Sequence, residues 1–230
     1  MDSDRKTALV AGLLFVITFV AGIAGALVYG PVLSDPRYIV GAGADTQVFL
    51  GAFLELILIV ANIGTAVVLF PILKRQNEGV ALGYVTARLA ESTFILIGIL
   101  SLLTIVTLRQ ADAGADAGSL VTVGKALVAV HNWTFLLGPG FVVGIGNGML
   151  LGYLMYKSAL VPRWMAMFGL VGGPLLTASG IAVLLGVIPQ FSGPQGVATI
   201  PEIVWEGALA LYLTFRGFRP SPILSSSPAS

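Results

Sequence analysis

The chain has 230 residues, of which 57% are hydrophobic and only 10% charged, with a mean hydropathy of +0.96; soluble domains carry roughly 25% charged residues. A formal net charge of +1 supplies no clustered basic face, which excludes nucleic acid as a partner. The absence of cysteine excludes a disulfide framework, a thiolate metal site and a thiol nucleophile.

Crossing a bilayer takes about 20 predominantly apolar residues, and six segments qualify, at 8–32, 46–73, 80–108, 133–156, 164–187 and 198–216. They predict an all-α fold: a polytopic six-transmembrane-helix bundle forming one domain over residues 1–218. A disordered cytoplasmic tail, 219–230, rich in Pro and Ser, is expected to follow. Arg5 and Lys6 precede the first apolar run as in a signal peptide, but the run is long for that role and is read as a retained helix.

The second segment carries Glu55 and Asn62 and leads through Pro71 into the turn Lys74-Arg75-Gln76-Asn77-Glu78-Gly79, where Gly79 is expected to close the connection. The third carries Tyr84, Arg88 and Glu91 at i, i+4 and i+7, on one helical face. Residues 109–140 are harder to place. Ser119, Lys125, His131 and Asn132 precede the fourth span, and the region reads either as an interfacial helix or, preferably, as an extension of that span kinked near Gly138-Pro139-Gly140. Gly140, Gly144, Gly148 and Gly152 then form a stripe of small residues, which admits close helix packing within the chain, a homo-oligomer contact or a membrane-complex partner. Val161-Pro162-Arg163-Trp164 makes the next turn, with Pro162 in the first turn of the outgoing helix and Trp164 at the interface. In the last span, Glu202 follows Pro201 and a candidate cap at Thr199, a first-turn position in which the helix dipole favours an acid; Glu206 lies one turn further on.

Arg5, Lys6, Lys74, Arg75, Lys157, Arg163, Arg216 and Arg219 fall on one side of these spans, and only Arg37, Arg109 and Lys125 on the other. This asymmetry predicts cytoplasmic termini.

Five ionisable residues lie within the apolar spans: Glu55, Arg88, Glu91, Glu202 and Glu206, four acids against one base. Charge in hydrocarbon is so costly that these groups should turn inward. With a rise of 1.5 Å per residue from the cytoplasmic helix ends, Asn62, Arg88, Glu91, Asn147 and Glu206 all come out at a depth of about 13–18 Å. Arg88 is therefore expected to pair with Glu91, Glu206 or both, with Tyr84 and Asn62 hydrogen-bonding around them. Glu55, His131 and Glu202 form an outer-side group, with His131 at or beyond the surface. The remaining acids need a proton, a cation or water.

A single histidine is a poor basis for a metal site, and no cofactor is implied. Walker, HExxH and Gly-x-Ser-x-Gly motifs are missing, and Gly144-Ile145-Gly146-Asn147-Gly148 follows no strand and so is no dinucleotide loop.

The string ELILIVANIGTAVVLFPILKRQNEGVALGYVTARLAES at 55–91, the VPRW turn and the ending PEIVWEGALALYLTFRGF at 201–218 resemble the bacterial membrane family called domain of unknown function 4386. The resemblance implies a multi-pass inner-membrane protein and no defined chemistry. Three functions remain open: small-molecule or ion binding and transport at the midplane cluster, a structural subunit of a membrane complex, and a lipid-active enzyme using His131 with Glu55 or Glu202.

Overall fold

The computed structural model describes residues 3–41, 43–111 and 116–225. Among them, six helices are long and apolar enough to span a membrane: α1 (Ser3–Val28), α2 (Asp45–Leu73), α3 (Glu78–Gln110), α4 (Ala117–Ser158), α5 (Arg163–Leu184) and α6 (Gly193–Phe215). No strand occurs among the described residues. Each span packs on its neighbour in sequence, and α6 returns to α1, so the six close into a ring. The Arg5 guanidinium fastens that closure by donating to the carbonyls of Leu213 and Thr214 at 3.0 and 2.7 Å, satisfying acceptors that the end of α6 leaves free. Outward-facing Val20, Leu27, Val60 and Phe215 are all more than half exposed, as lipid-facing side chains should be.

Local chemistry fixes the helix ends. Asn77 caps α3 by accepting the Val80 N–H at 3.0 Å, so Gly79 lies inside the helix and does not close the turn. Pro162 is the capping position of α5 and does not enter its first turn. Asp116 caps α4 by accepting the Ser119 N–H at 3.0 Å.

From that cap α4 runs unbroken to Ser158, over 42 residues, so the fourth span is the extended helix and not an interfacial one. Around Pro139 the backbone widens into π-helical turns over Leu136–Val142 and again over Gly144–Leu151. Proline lacks an N–H and crowds the preceding turn, and a wider turn relieves both problems without ending the helix.

The glycine stripe is used within the chain. A Cβ at Gly144 would lie 2.7 Å from the Gly173 carbonyl oxygen, and one at Gly148 would lie 2.8 Å from the Gly173 nitrogen, so α4 and α5 meet backbone to backbone. Gly152 continues the seam against Gly169 and Leu170, whereas Gly140 meets only its own helix and plays no part.

Two apolar clusters fill the ring. One, at the end holding both termini, contains Phe15, Leu69, Leu73, Leu154, Trp205 and Leu213. The other contains Tyr29, Val48, Leu102, Ile105 and Val106, together with Val32 of a one-turn helix, Gly30–Ser34, and Tyr38 and Ile39 of a 3-10 turn, Tyr38–Val40. The charged residues lie between them.

The first residues after α6 run back against the bundle. The Arg219 N–H donates to the Leu160 carbonyl at 2.8 Å, the Ser221 hydroxyl donates to the Ser158 carbonyl at 2.5 Å, and Pro222–Ser225 form a short helix. The expected tail beyond Ser225 lies outside the described residues.

Gly148→Leu should destabilise the protein by about 1–3 kcal/mol or more through overpacking, whereas Gly193→Ala, with nothing within 4 Å of the added carbon, should be nearly neutral. Thermal unfolding of both variants in lipid nanodiscs checks the contrast.

Candidate functional site: a charged cavity in the bundle interior

Arg88 projects from the middle of α3 into the ring and is only 2% exposed. One terminal nitrogen lies 2.7 Å from Glu91 Oε2, one turn along the same helix. The other donates to Asn147 Oδ1 at 3.0 Å and stands 3.5 Å from Glu206 Oε1. Its Nε donates to the Tyr84 hydroxyl at 3.5 Å. All the nitrogens of the guanidinium are thus partnered, by two carboxylates, an amide and a phenol.

A second layer holds these partners. Asn62 on α2 donates through Nδ2 to Glu91 Oε1 at 2.9 Å, and the Asn147 amide donates to Glu206 Oε1. The Tyr84 hydroxyl is 3.2 Å from the Thr65 hydroxyl, and Trp205 Nε1 donates to the Asn147 carbonyl at 3.0 Å. The Asn147 carbonyl that accepts this bond lies within the second π-helical stretch of α4. The structure therefore joins the five residues that the sequence placed at mid-depth, Asn62, Arg88, Glu91, Asn147 and Glu206, and Tyr84, which was expected to hydrogen-bond around them.

The network forms the floor of a cavity of about 540 Å³, within the range of small-molecule sites. Glu55, His131 and Glu202 line this same cavity, so the outer-side group and the mid-depth group belong to one site. Its walls are mainly apolar, with Phe19 and Ile23 from α1, Ile95 from α3, Phe135 from α4, and Phe191 and Ile203 from the α6 side. α1 and α6 approach closely where Gly12 meets Leu213 and Thr214, Gly207 lies near Phe19, and residues of both helices line the cavity.

Two sequence expectations fail here. His131 is buried, 6% exposed, with its ring edge-on to Tyr29 at a centroid distance of 5.6 Å, and does not stand at the surface. Tyr29 in turn donates to Glu55 Oε2 at 3.0 Å. Glu202 is not in a first turn either. α6 begins at Gly193, and the Thr199 hydroxyl donates to the Gln195 carbonyl at 2.9 Å inside the helix, so Thr199 caps nothing. Pro201 is accommodated within the helix and marks no start. The dipole of a first turn consequently does not account for Glu202.

That carboxyl sits in a recess of glycines. Gly172 presses against its backbone, where an added Cβ would lie 2.6 Å from the Glu202 nitrogen, and a Cβ on Gly148 would lie 2.6 Å from its Oε2. Glu202 is 2% exposed, and neither carboxyl oxygen has a hydrogen-bond partner. Asn62 Oδ1 and His131 Nδ1 are likewise buried without partners.

Sequence reasoning missed Tyr29, Thr65 and Trp205. Thr65 follows Asn62 by three residues and Trp205 follows Glu202 by three, so helical spacing alone marked both as facing inward. Among the described residues no group of three His, Asp or Glu side chains is placed to hold a metal ion.

Six apolar helices closed around buried charge define a multi-pass integral membrane protein. The chain belongs to the domain of unknown function (DUF4386) family, whose profile matches residues 10–217. No curated protein and no solved structure matches it.

Arg88→Met should cost about 3–5 kcal/mol, because it leaves Glu91 and Glu206 buried without their counter-ion. Adding Glu91→Gln should recover part of that loss, and a double-mutant cycle on unfolding midpoints in nanodiscs measures the coupling.

Proposed function

We propose that this protein binds a small molecule within the membrane, as a carrier or receptor, and that the ligand enters the cavity with a polar end directed at the network of Asn62, Arg88, Glu91, Asn147 and Glu206. The observation that carries this reading is the continuity of one 540 Å³ cavity with buried charge at its floor and apolar side chains along its walls. A network serving only to lock helices gains nothing from an adjoining void, since voids weaken packing. Sites of this kind, at mid-depth between helices, suit alternating exposure to the two sides of a membrane. The distribution of Lys and Arg supports cytoplasmic termini, and the resemblance to a bacterial membrane family supports a bacterial cytoplasmic membrane.

An assembly role for the glycine stripe is less well supported, because α5 of the same chain already covers Gly144, Gly148 and Gly152.

The test uses three ligands with one apolar body and different head charge: 2-naphthylmethylammonium, 2-naphthylmethanol and 2-naphthoate. Equilibrium dialysis against protein-loaded and empty nanodiscs should find saturable binding of at least one. Gly196→Trp, which adds bulk at a cavity-lining position with nothing within 4 Å of its Cβ, should abolish that binding while leaving the unfolding midpoint nearly unchanged. Failure of all three to bind saturably would overturn the reading.

A further inference from the structure

The floor and walls of the cavity are unequal in what they leave unmet. Every nitrogen of Arg88 already has an acceptor within the protein. The groups without partners are chiefly acceptors: both oxygens of Glu202 and the Asn62 Oδ1, each on a residue at most 2% exposed and each on a side chain lining the cavity. Buried polar atoms are almost always hydrogen-bonded, so a group of unmet acceptors calls for a donor.

Charge points the same way. The titratable and charged groups around Glu202 are Glu206 one turn along α6, Arg88 and Glu91 across from α3, and Glu55 and His131 along the wall. Gly148 of α4 and Gly172 of α5 approach it, and the other residues that these helices add to the cavity lining, among them Val143 and Leu176, carry no charge. Arg88 is committed to Glu91 and Glu206 at 2.7 and 3.5 Å, which leaves Glu202 with no cation of its own.

We propose that the ligand of this cavity is an organic ammonium ion with an apolar, preferably aromatic, body, and that Glu202 is the carboxylate that receives its N–H donors, assisted by Asn62 Oδ1. This rests on the cavity being a ligand site. An anionic head would meet an excess of carboxylates and an arginine with no nitrogen to spare. A bare inorganic cation is a poor fit too: Ca2+ takes about six to eight oxygens, whereas the buried oxygens left without a partner along the cavity are four, both of Glu202, Asn62 Oδ1 and Ser192 Oγ, and the walls are mainly hydrocarbon. An ammonium on an apolar body matches both halves of the site, and the rings of Phe19, Phe135 and Phe191 add faces on which a cation and its aromatic body are stabilised. Gly148 gives the carboxyl its place, because a side chain there would displace it, and Gly172 lets the backbone of Glu202 approach α5.

The same three naphthyl ligands decide the matter by their order of affinity in nanodiscs. The ammonium should bind at least about tenfold more tightly than the alcohol, and the carboxylate not measurably. Glu202→Gln, which keeps shape and removes charge, should cost the ammonium about tenfold or more and leave the alcohol within a factor of about two, at an unfolding midpoint no lower than wild type. Glu78→Gln, at the end of the bundle remote from the cavity, should change neither. Preferred binding of the alcohol or of the naphthoate, or full ammonium affinity in Glu202→Gln, overturns the assignment while the cavity remains a ligand site. Absence of saturable binding by any of the three overturns the assignment and the ligand site together.

Discussion

A single guanidinium in the hydrocarbon interior imposes most of what surrounds it. Arg88 stays charged at any accessible pH, so the fold must bring acceptors to it from several directions. Glu91 comes from its own helix, Asn147 from α4 and Glu206 from α6. Asn62 on α2 then fixes Glu91. Four of the six spans are thereby committed to one point, and the rotation of each about its own axis is set by the side chain it contributes. Apolar side chains alone specify rotation weakly inside a lipid bilayer, because facing lipid costs them little. A buried network that loses several kcal/mol when one member turns away specifies it strongly.

Bringing Asn147 and Glu206 to Arg88 requires α4, α5 and α6 to approach closely, and glycine is the means. Gly144 and Gly148 admit the backbone of α5 at Gly173, and Gly172 admits the backbone of α6 at Glu202. The π turns of α4 belong to the same arrangement. They absorb Pro139 without a break, and within the second of them the Asn147 carbonyl accepts from Trp205, tying α6 to α4 one residue from Glu206. On the opposite side of the ring, α1 and α6 contact each other mainly near the terminal end, and the cavity occupies the space beyond.

The residues of the network were legible in the sequence because the argument for each is local. A charged side chain in an apolar span must face inward, and helical spacing then assigns its neighbours, as with Tyr84, Arg88 and Glu91. Depth counted from helix ends also sufficed to place Asn62, Arg88, Glu91, Asn147 and Glu206 in one slab, but not to say which would bond: the structure joins Asn62 to Glu91 and Asn147 to Glu206. The errors have local causes as well. Pro201 imitates a helix start, and the residues before it, Gly193 to Gly196 among them, are too polar to read as part of a span, so Glu202 was assigned to a first turn. His131 looked superficial because the fourth span was counted from Trp133 and not from Ala117. The cavity itself had no signature. It arises from how far apart two helices stand, which depends on side chains at many separate positions and on no single motif.

The separation between paired and unpaired groups gives the interior its two characters. Glu91 and Glu206 answer a fixed cation, and their role in holding the helices needs no visitor. Glu202 lies one turn from Glu206 on the same face and is the more buried of the two, yet both of its oxygens are left without a protein donor. A structural acid so placed is unfavourable, and replacing it by an apolar residue would improve packing at no cost in hydrogen bonds. Its surroundings nonetheless fit it, with Gly148 leaving the volume that the carboxyl fills and Gly172 admitting the backbone that carries it. A costly group in a purpose-built recess, opening on a cavity rather than on a partner, is better explained by what enters the cavity than by what holds the bundle together.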